Sequence, residues 1–554
     1  MRQPASPTPF VAEEPIRDES ISVTPAARRR HWPHLVLLVA GLICAFHPTF
    51  FSAFRRVQTD VGDTRLNNLI VEYSYRWITG TLGFAERSFW NQPFFYPARN
   101  VAAYTDLLLS SAPIYWLFRA ARLAPDTSFQ LWMIAILALN FVTMSLFLRN
   151  CLRFGDFASA LGGFLFAFGS PRVAQLGHQA LLPQFFTVLA LYGLFRFFSP
   201  QRVTPRQGIF MFFLCSVAQL WSGFYLGWEL FFGILAMSLW ALGRRQYREV
   251  LLRRVREYRA EILIAGVACG VLIAPLAYHY LVALRDVGPR RFADFVGMVP
   301  PPQSWFYLGG ESWLYSWQQN LGVFNHIPFA HEQRLGIGWV TLVLAVWGLY
   351  LFAKARDAWV NLMCVASITI VLSMTLYPGG FTPWKYLFHV VPGGNAVRAV
   401  SRIGFLMLVP LSIGLAYLLD TRKLVVAVLI ALVCIVEQGQ TTPAYDKMQL
   451  RVDVARLAGR VNNTCKAFYY SPPYDLARDA PPQYKLHIDA MWAAMETGIP
   501  TVNGYSGNFA AGWWDLWDNR LINESDVARI RGAIAQWSAR YGVDQGSVCW
   551  LRRG

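Results

Sequence analysis

Charge is scarce in this chain: of 554 residues only 15% are Asp, Glu, Lys or Arg, against 55% hydrophobic and 15% aromatic. That balance excludes an ordinary soluble enzyme. No glycine-rich phosphate loop, no CxxC pair and no His/Cys cluster with zinc spacing is present, which excludes P-loop nucleotide chemistry and a structural zinc. No internal repeat is found, and this argues against a transporter built from inverted repeats. Nor does any Asp, Glu, Lys or Arg fall near the middle of an apolar run, where ion-coupled pumps place ionisable groups.

What the sequence has in quantity is long apolar stretches. Twelve candidates lie at about 35–54, 105–122, 129–148, 157–171, 181–198, 208–224, 226–243, 260–282, 335–353, 358–377, 402–419 and 423–438. Most are long enough to cross roughly 30 Å of hydrocarbon at about 1.5 Å per residue. The fold class expected is an α-helical polytopic membrane protein, so the lipid bilayer is its first partner. The formal charge of +17 does not indicate nucleic acid, because the basic residues gather in short loops, where they hold a loop in the cytoplasm.

Residues 244–259 carry seven arginines against two glutamates and set the orientation. With that stretch inside, the loops holding Arg149 and Arg153, Arg202 and Arg206, Lys354 and Arg356, and Arg422 and Lys423 also fall inside. Arg28, Arg29 and Arg30 are then inside as well only if segment 105–122 does not cross. That segment starts with Asp106, contains Pro113 and ends with Arg119 and Arg122, as a juxtamembrane or re-entrant helix does. The expectation is about eleven crossings. Residues 1–33 form a disordered cytoplasmic tail, 34–438 the membrane domain with outer loops 55–128 and 283–334, and 439–554 an outer C-terminal domain. In that last domain the composition turns to small mixed α/β: "CKAFYYSPP" and "PTVNGYSG" read as strands, "IDAMWAAMET" and "DVARIRGAIAQWSAR" as helices.

Chemistry is then to be sought at the outer ends of the spans. Asp63, with Asp60 three residues before it, follows the first crossing; a carboxylate just above the bilayer serves as a base or metal ligand, or it caps the helix that Thr64 begins. His178 stands in "VAQLGHQALLPQ", as a ligand or base or as an interfacial His bound to backbone. Arg398 and Arg402, spaced i and i+4, fit one helical face able to grip a phosphate, and "HEQRLGIGW" adds His331, Glu332 and Arg334; outer arginines that merely snorkel are the alternative. Trp305, Tyr307, Trp313, Tyr315 and Trp317 form one aromatic cluster, and Tyr505, Trp513, Trp514 and Trp517 with Asp515 and Asp518 another, suited to sugar faces or to the membrane interface. Cys465 and Cys549 are alone in the outer tail, to be bridged in an oxidising compartment or left free in a core.

An Arg-flanked first span, an acidic first outer loop with "NQPFFYPARN" and "AAYTDLLLSSAPIYWLF", a bundle of short-looped spans, a second large outer loop and an outer tail together resemble the GT-C superfamily. These are integral membrane glycosyltransferases, here of bacterial type, that use polyprenyl-phosphate sugars. The resemblance covers most of residues 34–438. It implies an inner-membrane enzyme with its N-terminus cytoplasmic and its C-terminal domain periplasmic. Asp63, or more weakly Asp60, would be the catalytic carboxylate, acting as base, Arg398, Arg402 and Arg334 would bind the donor phosphate, and His178, Glu332 and Trp313 would bind substrate. The implied reaction is inverting transfer to a lipid, glycan or protein acceptor. Many members place an acidic residue where this chain has His178, which leaves a divalent metal cofactor open. A flippase of lipid-linked glycans and a non-catalytic scaffold are the rival functions; the first calls for a polar path through the bundle, the second would tolerate loss of Asp63.

Overall fold

The structure is a computed structural model describing residues 31–199, 203–355, 358–420, 422–472 and 481–552. Most of the cytoplasmic tail read from residues 1–33, and Arg202 and Arg356 of the inner loops, lie outside the described residues. The chain is mostly helical, with two short two-stranded sheets. Among the described residues, six helices suffice by length and composition to cross a membrane: Trp32–Phe51, Pro125–Asn150, Gln179–Phe198, Phe224–Gly243, Arg259–Val287 and Val400–Asp420. A seventh is formed if Trp359–Ser373 and Pro378–Val390, bent by 93°, count as one broken span.

Eleven crossings are therefore not established by helix length, and the reason is local. Trp339–Lys354 has 16 residues, Leu424–Glu437 has 14 and Asp156–Phe168 has 13, which at about 1.5 Å per residue reach only ~20–24 Å. Pro205–Ser222 is long enough but carries Gln207, Ser216 and Gln219 in its apolar run. Segment 105–122 yields only the nine-residue helix Ala112–Ala120, too short to cross. Arg259–Val287 exposes Leu263, Val267, Val271 and Leu281 along its length, as a lipid-facing helix does.

Two glycine contacts explain how the bundle closes. A Cβ on Gly348 would stand 2.0 Å from the Gly414 carbonyl oxygen, and one on Gly193 would stand 2.7 Å from that of Gly208. The two helix pairs therefore pack backbone against backbone, as small residues permit in membrane bundles. Polar staples then fix one end. Glu72, fully buried, accepts from Tyr115 (2.7 Å), Arg119 (2.7 Å) and Arg76 (2.8 Å), tying the helix Asp63–Ile78 to Ala112–Ala120.

The loop expected to be the first outer one and the tail share one core, in which Leu69, Tyr73, Phe94 and Phe95 pack with Phe468, Met491 and Trp513. Arg65 reaches Asp489 of the helix Gln483–Thr497 at 2.6 Å, and strand Arg56–Val57 pairs antiparallel with Tyr445–Asp446. Within the tail, Ala467–Tyr470 runs parallel to Val548–Leu551. Cys465 and Cys549 are bridged beside this sheet, with Cα atoms 5.6 Å apart. Helices Gln483–Thr497 and Glu524–Arg540 contain the two helical segments expected. "PTVNGYSG" is not a strand: it touches Phe468 through a single bridge at Thr501, after which the Asn503 side chain replaces the ladder, accepting from Tyr470 N (2.7 Å) and donating to Tyr470 O (3.0 Å).

Candidate functional site

Four chain segments meet at the mouth of the bundle. Asp63 opens its helix with Gly62 at the N-cap, and its side chain makes no capping bond, so the helix-cap reading is not what the fold uses. The carboxylate turns outward instead: Oδ1 accepts from the Tyr505 hydroxyl at 2.7 Å, and Oδ2 lies 3.4 Å from His178 Nε2. His178 Nε2 is also 3.3 Å from Glu332 Oε1. Glu332 in turn accepts from Arg402 Nη2 at 3.1 Å, and the Arg402 guanidinium lies over the Tyr225 ring, 4.6 Å from its centre.

Neighbouring amides hold these groups in place. Gln179, next to His178, donates to Thr64 Oγ1 at 2.9 Å and accepts from Asn67 at 2.8 Å, both on the Asp63 helix. Gln175 donates to the His331 carbonyl at 2.9 Å, and Gln333 donates to the Gly297 carbonyl at 2.9 Å. The Glu332 loop is thus pinned from both sides.

Electrostatics follow from this packing. Glu332 is buried, which favours its neutral form, but Arg402 and then His178 outweigh that and hold its pKa at about 2. Burial and the Arg402 charge lower the pKa of His178 against the pull of Glu332, Asp63 and Asp60. The imidazole, its pKa lowered, thus faces two carboxylates through Nε2, 3.4 Å from Asp63 and 3.3 Å from Glu332. Asp60, exposed at its tip but surrounded by protein, is raised by burial and by Asp63; its Oδ1 accepts from Gly62 N at 2.6 Å. Tyr505 is also raised, by burial and then by Asp63, so it is a proton donor to that carboxylate.

The expected pairing of Arg398 and Arg402 on one helical face is not realised. Arg402 lies in a short 3-10 turn, Val400–Ile403, whereas Arg398 precedes it in extended backbone. The two Tyr225-bound amides, Arg398 N (2.9 Å) and Ala399 N (3.1 Å), turn the chain there and break the helix. Arg402 is committed to Glu332; among the described residues, no hydrogen bond or ion pair is recorded for the Arg398 side chain.

Arg334 and Trp313 sit elsewhere, in the loop 283–334. Arg334 pairs with Glu311 at 2.8 Å, and Trp313 packs on Gly439, whose carbonyl accepts from Trp313 N at 3.0 Å. Neither touches Asp63, His178 or Glu332 among the described residues.

Three residues of this region were missed in the sequence. Arg290 donates to the Ala396 carbonyl and to Asn508 (3.0 Å), and its pKa is lowered by burial and by Arg398 and Arg402. Half-buried Asp106 accepts from Phe224 N at 2.7 Å and feels both Arg402 and Arg290. Tyr225 anchors the Arg398 turn. Arg290 and Arg291 in a loop read as outer, in a chain whose basic residues otherwise mark the inside, were the available signal.

A divalent metal does not fit this arrangement. Among the described residues no three His, Cys, Asp or Glu side chains are grouped to hold an ion. Asp63 and Glu332 are turned to an imidazole, and Glu332 also to a guanidinium. What the geometry offers is a carboxylate with free lone pairs beside a patch of three arginines.

The fold and site together define a helical membrane protein with a polar, charge-rich cluster at one end of its bundle. No protein-family model matches the chain, and no curated protein matches it. Among solved structures, the cryo-EM structure of the arabinofuranosyltransferase AftD from mycobacteria is similar at 13% identity and a TM-score of 0.49. The match covers 81% of this chain and 30% of that one. No residue role is transferred from that likeness.

Proposed function

We propose that this protein transfers a sugar from a polyprenyl-phosphate donor to a hydroxyl of a glycan, lipid or protein acceptor, at the outer face of a bacterial inner membrane. The observation that supports this best is the convergence of Asp63, His178, Glu332 and Arg402, from four separate chain segments, each within 3.1–3.4 Å of the next. Asp63 is the base. It takes the acceptor proton as the acceptor oxygen attacks the anomeric carbon and the bond from that carbon to phosphate oxygen breaks. Displacement in one step inverts the anomeric centre. The departing lipid phosphate is met by Arg398, with Arg290 and the fixed charge of Arg402 behind it.

The same convergence favours the eleven-crossing topology, with the N-terminus cytoplasmic and residues 439–554 outer. Loops that touch at about 3.3 Å must share one side of a bilayer ~30 Å thick, and these are the loops the arginine count assigns to the outside. Asp60 stands in reserve as the second carboxylate.

The test is incubation of the purified protein with a panel of polyprenyl-phosphate sugars, scoring released lipid phosphate. Asp63→Asn keeps the shape and the Tyr505 contact but removes the base, so turnover should fall roughly 10²–10⁴-fold. Full turnover in that variant would refute Asp63 as base and leave Asp60 to be tested; no release from any donor would refute the transferase.

A further inference from the structure

The tail carries a groove that the Asp63 cluster does not use. It has a volume of about 530 Å³ and lies between the turn Trp514–Leu516 and the helix Glu524–Arg540; ligand sites ordinarily span ~300–1,000 Å³. Its floor is smooth because Ala528 and Gly532 face it one helical turn apart, and a Cβ built on Gly532 meets no atom within 4 Å. Along one wall stand two indoles: Trp514, 59% exposed, and Trp517, half-buried, with ring centres 6.1 Å apart. Asp515 and Gln536 add polar groups for which no partner is recorded among the described residues, whereas Asp518 and Arg529 are already engaged, with Arg520 and Asp526 respectively.

The aromatic wall continues inward. Trp517 is stacked with Tyr505, ring centres 6.4 Å apart and 27° between planes, and the Tyr505 hydroxyl donates to Asp63 at 2.7 Å. Three rings thus lead from the outer surface to the proposed base.

We propose that this groove is a binding site for a neutral glycan chain, the extended part of the acceptor, whose growing end reaches Asp63. Naming it an acceptor site rests on the transferase reading above; saccharide binding itself does not. The exposed indole of Trp514, with the half-buried edge of Trp517 beside it, matches the apolar C–H face of a sugar ring, and a carboxylate and an amide without partners among the described residues match sugar hydroxyls. The uncompensated Asp515 disfavours a polyanion, and the polar wall disfavours a lipid tail.

Binding is measured on the full-length detergent-solubilised protein, without donor, by saturation-transfer NMR and tryptophan fluorescence. The probes are neutral hexasaccharides of β-1,4-glucan, α-1,4-glucan and α-1,6-mannan, with oligogalacturonate as the anionic control. At least one neutral probe should bind, the control should not, and Trp514→Ala should weaken binding roughly tenfold. Gly532→Trp, placed in open space, should fill the groove and abolish binding while leaving the elution profile unchanged. Binding by no neutral probe, preference for oligogalacturonate, or undiminished binding in both variants would overturn the proposal. Because no turnover is read, failure of the transferase assay and failure of this one are separate results.

Discussion

Replacing Glu332 by Gln should expose how much of the site is held by one buried ion pair. The Glu332 and Arg402 side chains are only 5% and 8% exposed, and both must be charged for the pair to hold. Against the cost of burial, Arg402 and then His178 hold the Glu332 pKa well below the ordinary carboxylate value, at about 2, which corresponds to native stabilisation on the order of 3 kcal/mol. Leaving a buried charge without its partner costs a similar amount, about 3–5 kcal/mol. The sign is fixed by the depression: this stabilisation is fully present above about pH 4.5, the unfolded value, and is lost as pH falls toward 2. Glu332→Gln should therefore lower the thermal midpoint at pH 7 by on the order of 5 °C, and the gap to the parent should close as pH is lowered from 5 toward 3. His178 adds to the pH slope of both proteins, so the difference between them is the quantity to read. Adding Arg402→Leu to Glu332→Gln should recover much of the loss, since no buried charge then remains. A single variant as stable as the parent at pH 7, or a gap that does not change with pH, would refute the pair as a stabilising element. Fluorescence-detected unfolding in detergent over pH 3–8 is sufficient.

Arg398→Ala should raise the donor concentration needed for half-maximal turnover, by about 2 kcal/mol if the phosphate contact is partly desolvated, with the rate at saturating donor little changed; steady-state kinetics distinguishes this from Asp63→Asn. Opening the bridge across 84 residues with Cys465→Ser should destabilise the tail by about 4–5 kcal/mol on loop-closure entropy, read as earlier proteolysis of the tail at rising temperature. Cysteines placed at the exposed positions Arg99 and Arg122, flanking the helix Ala112–Ala120, should both react with an impermeant thiol reagent in intact cells. Labelling of one flank alone would mean that this segment crosses, and would refute the eleven-crossing topology.

The parts of the site that were legible in the sequence are those whose meaning is one-dimensional. Counting arginines assigned loops to sides, and that assignment put Asp63, His178, Glu332 and Arg402 in one compartment before any distance was known. What counting does not supply is which partner each group takes. Arg398 and Arg402 are i and i+4 in sequence, yet two amides bound to Tyr225 break the helix between them, and Tyr225 lies more than 170 residues away in the chain. The Asp63 carboxylate had a local explanation, a helix cap, that was sufficient on sequence alone; it is displaced because Tyr505, 442 residues on, offers a donor at 2.7 Å. The strand expected in "PTVNGYSG" failed for a related reason, since an Asn side chain competes with the ladder it sits beside. In each case a polar side chain chose between a local and a distant partner, and apolar periodicity carries no information on that choice. The arginines show the limit most clearly. Arg402 was expected to grip phosphate, and its burial against Glu332 leaves it as fixed positive charge, which under the proposed function moves the direct contact to Arg398 and to Arg290, a residue of the expected second outer loop that sequence reasoning had not singled out. A phosphate arriving there meets one uncommitted guanidinium in front of two anchored ones, so binding should depend on the first through hydrogen bonds and on the others through charge. Arg398→Lys should therefore retain part of the affinity, as a point charge does, while losing the bidentate share.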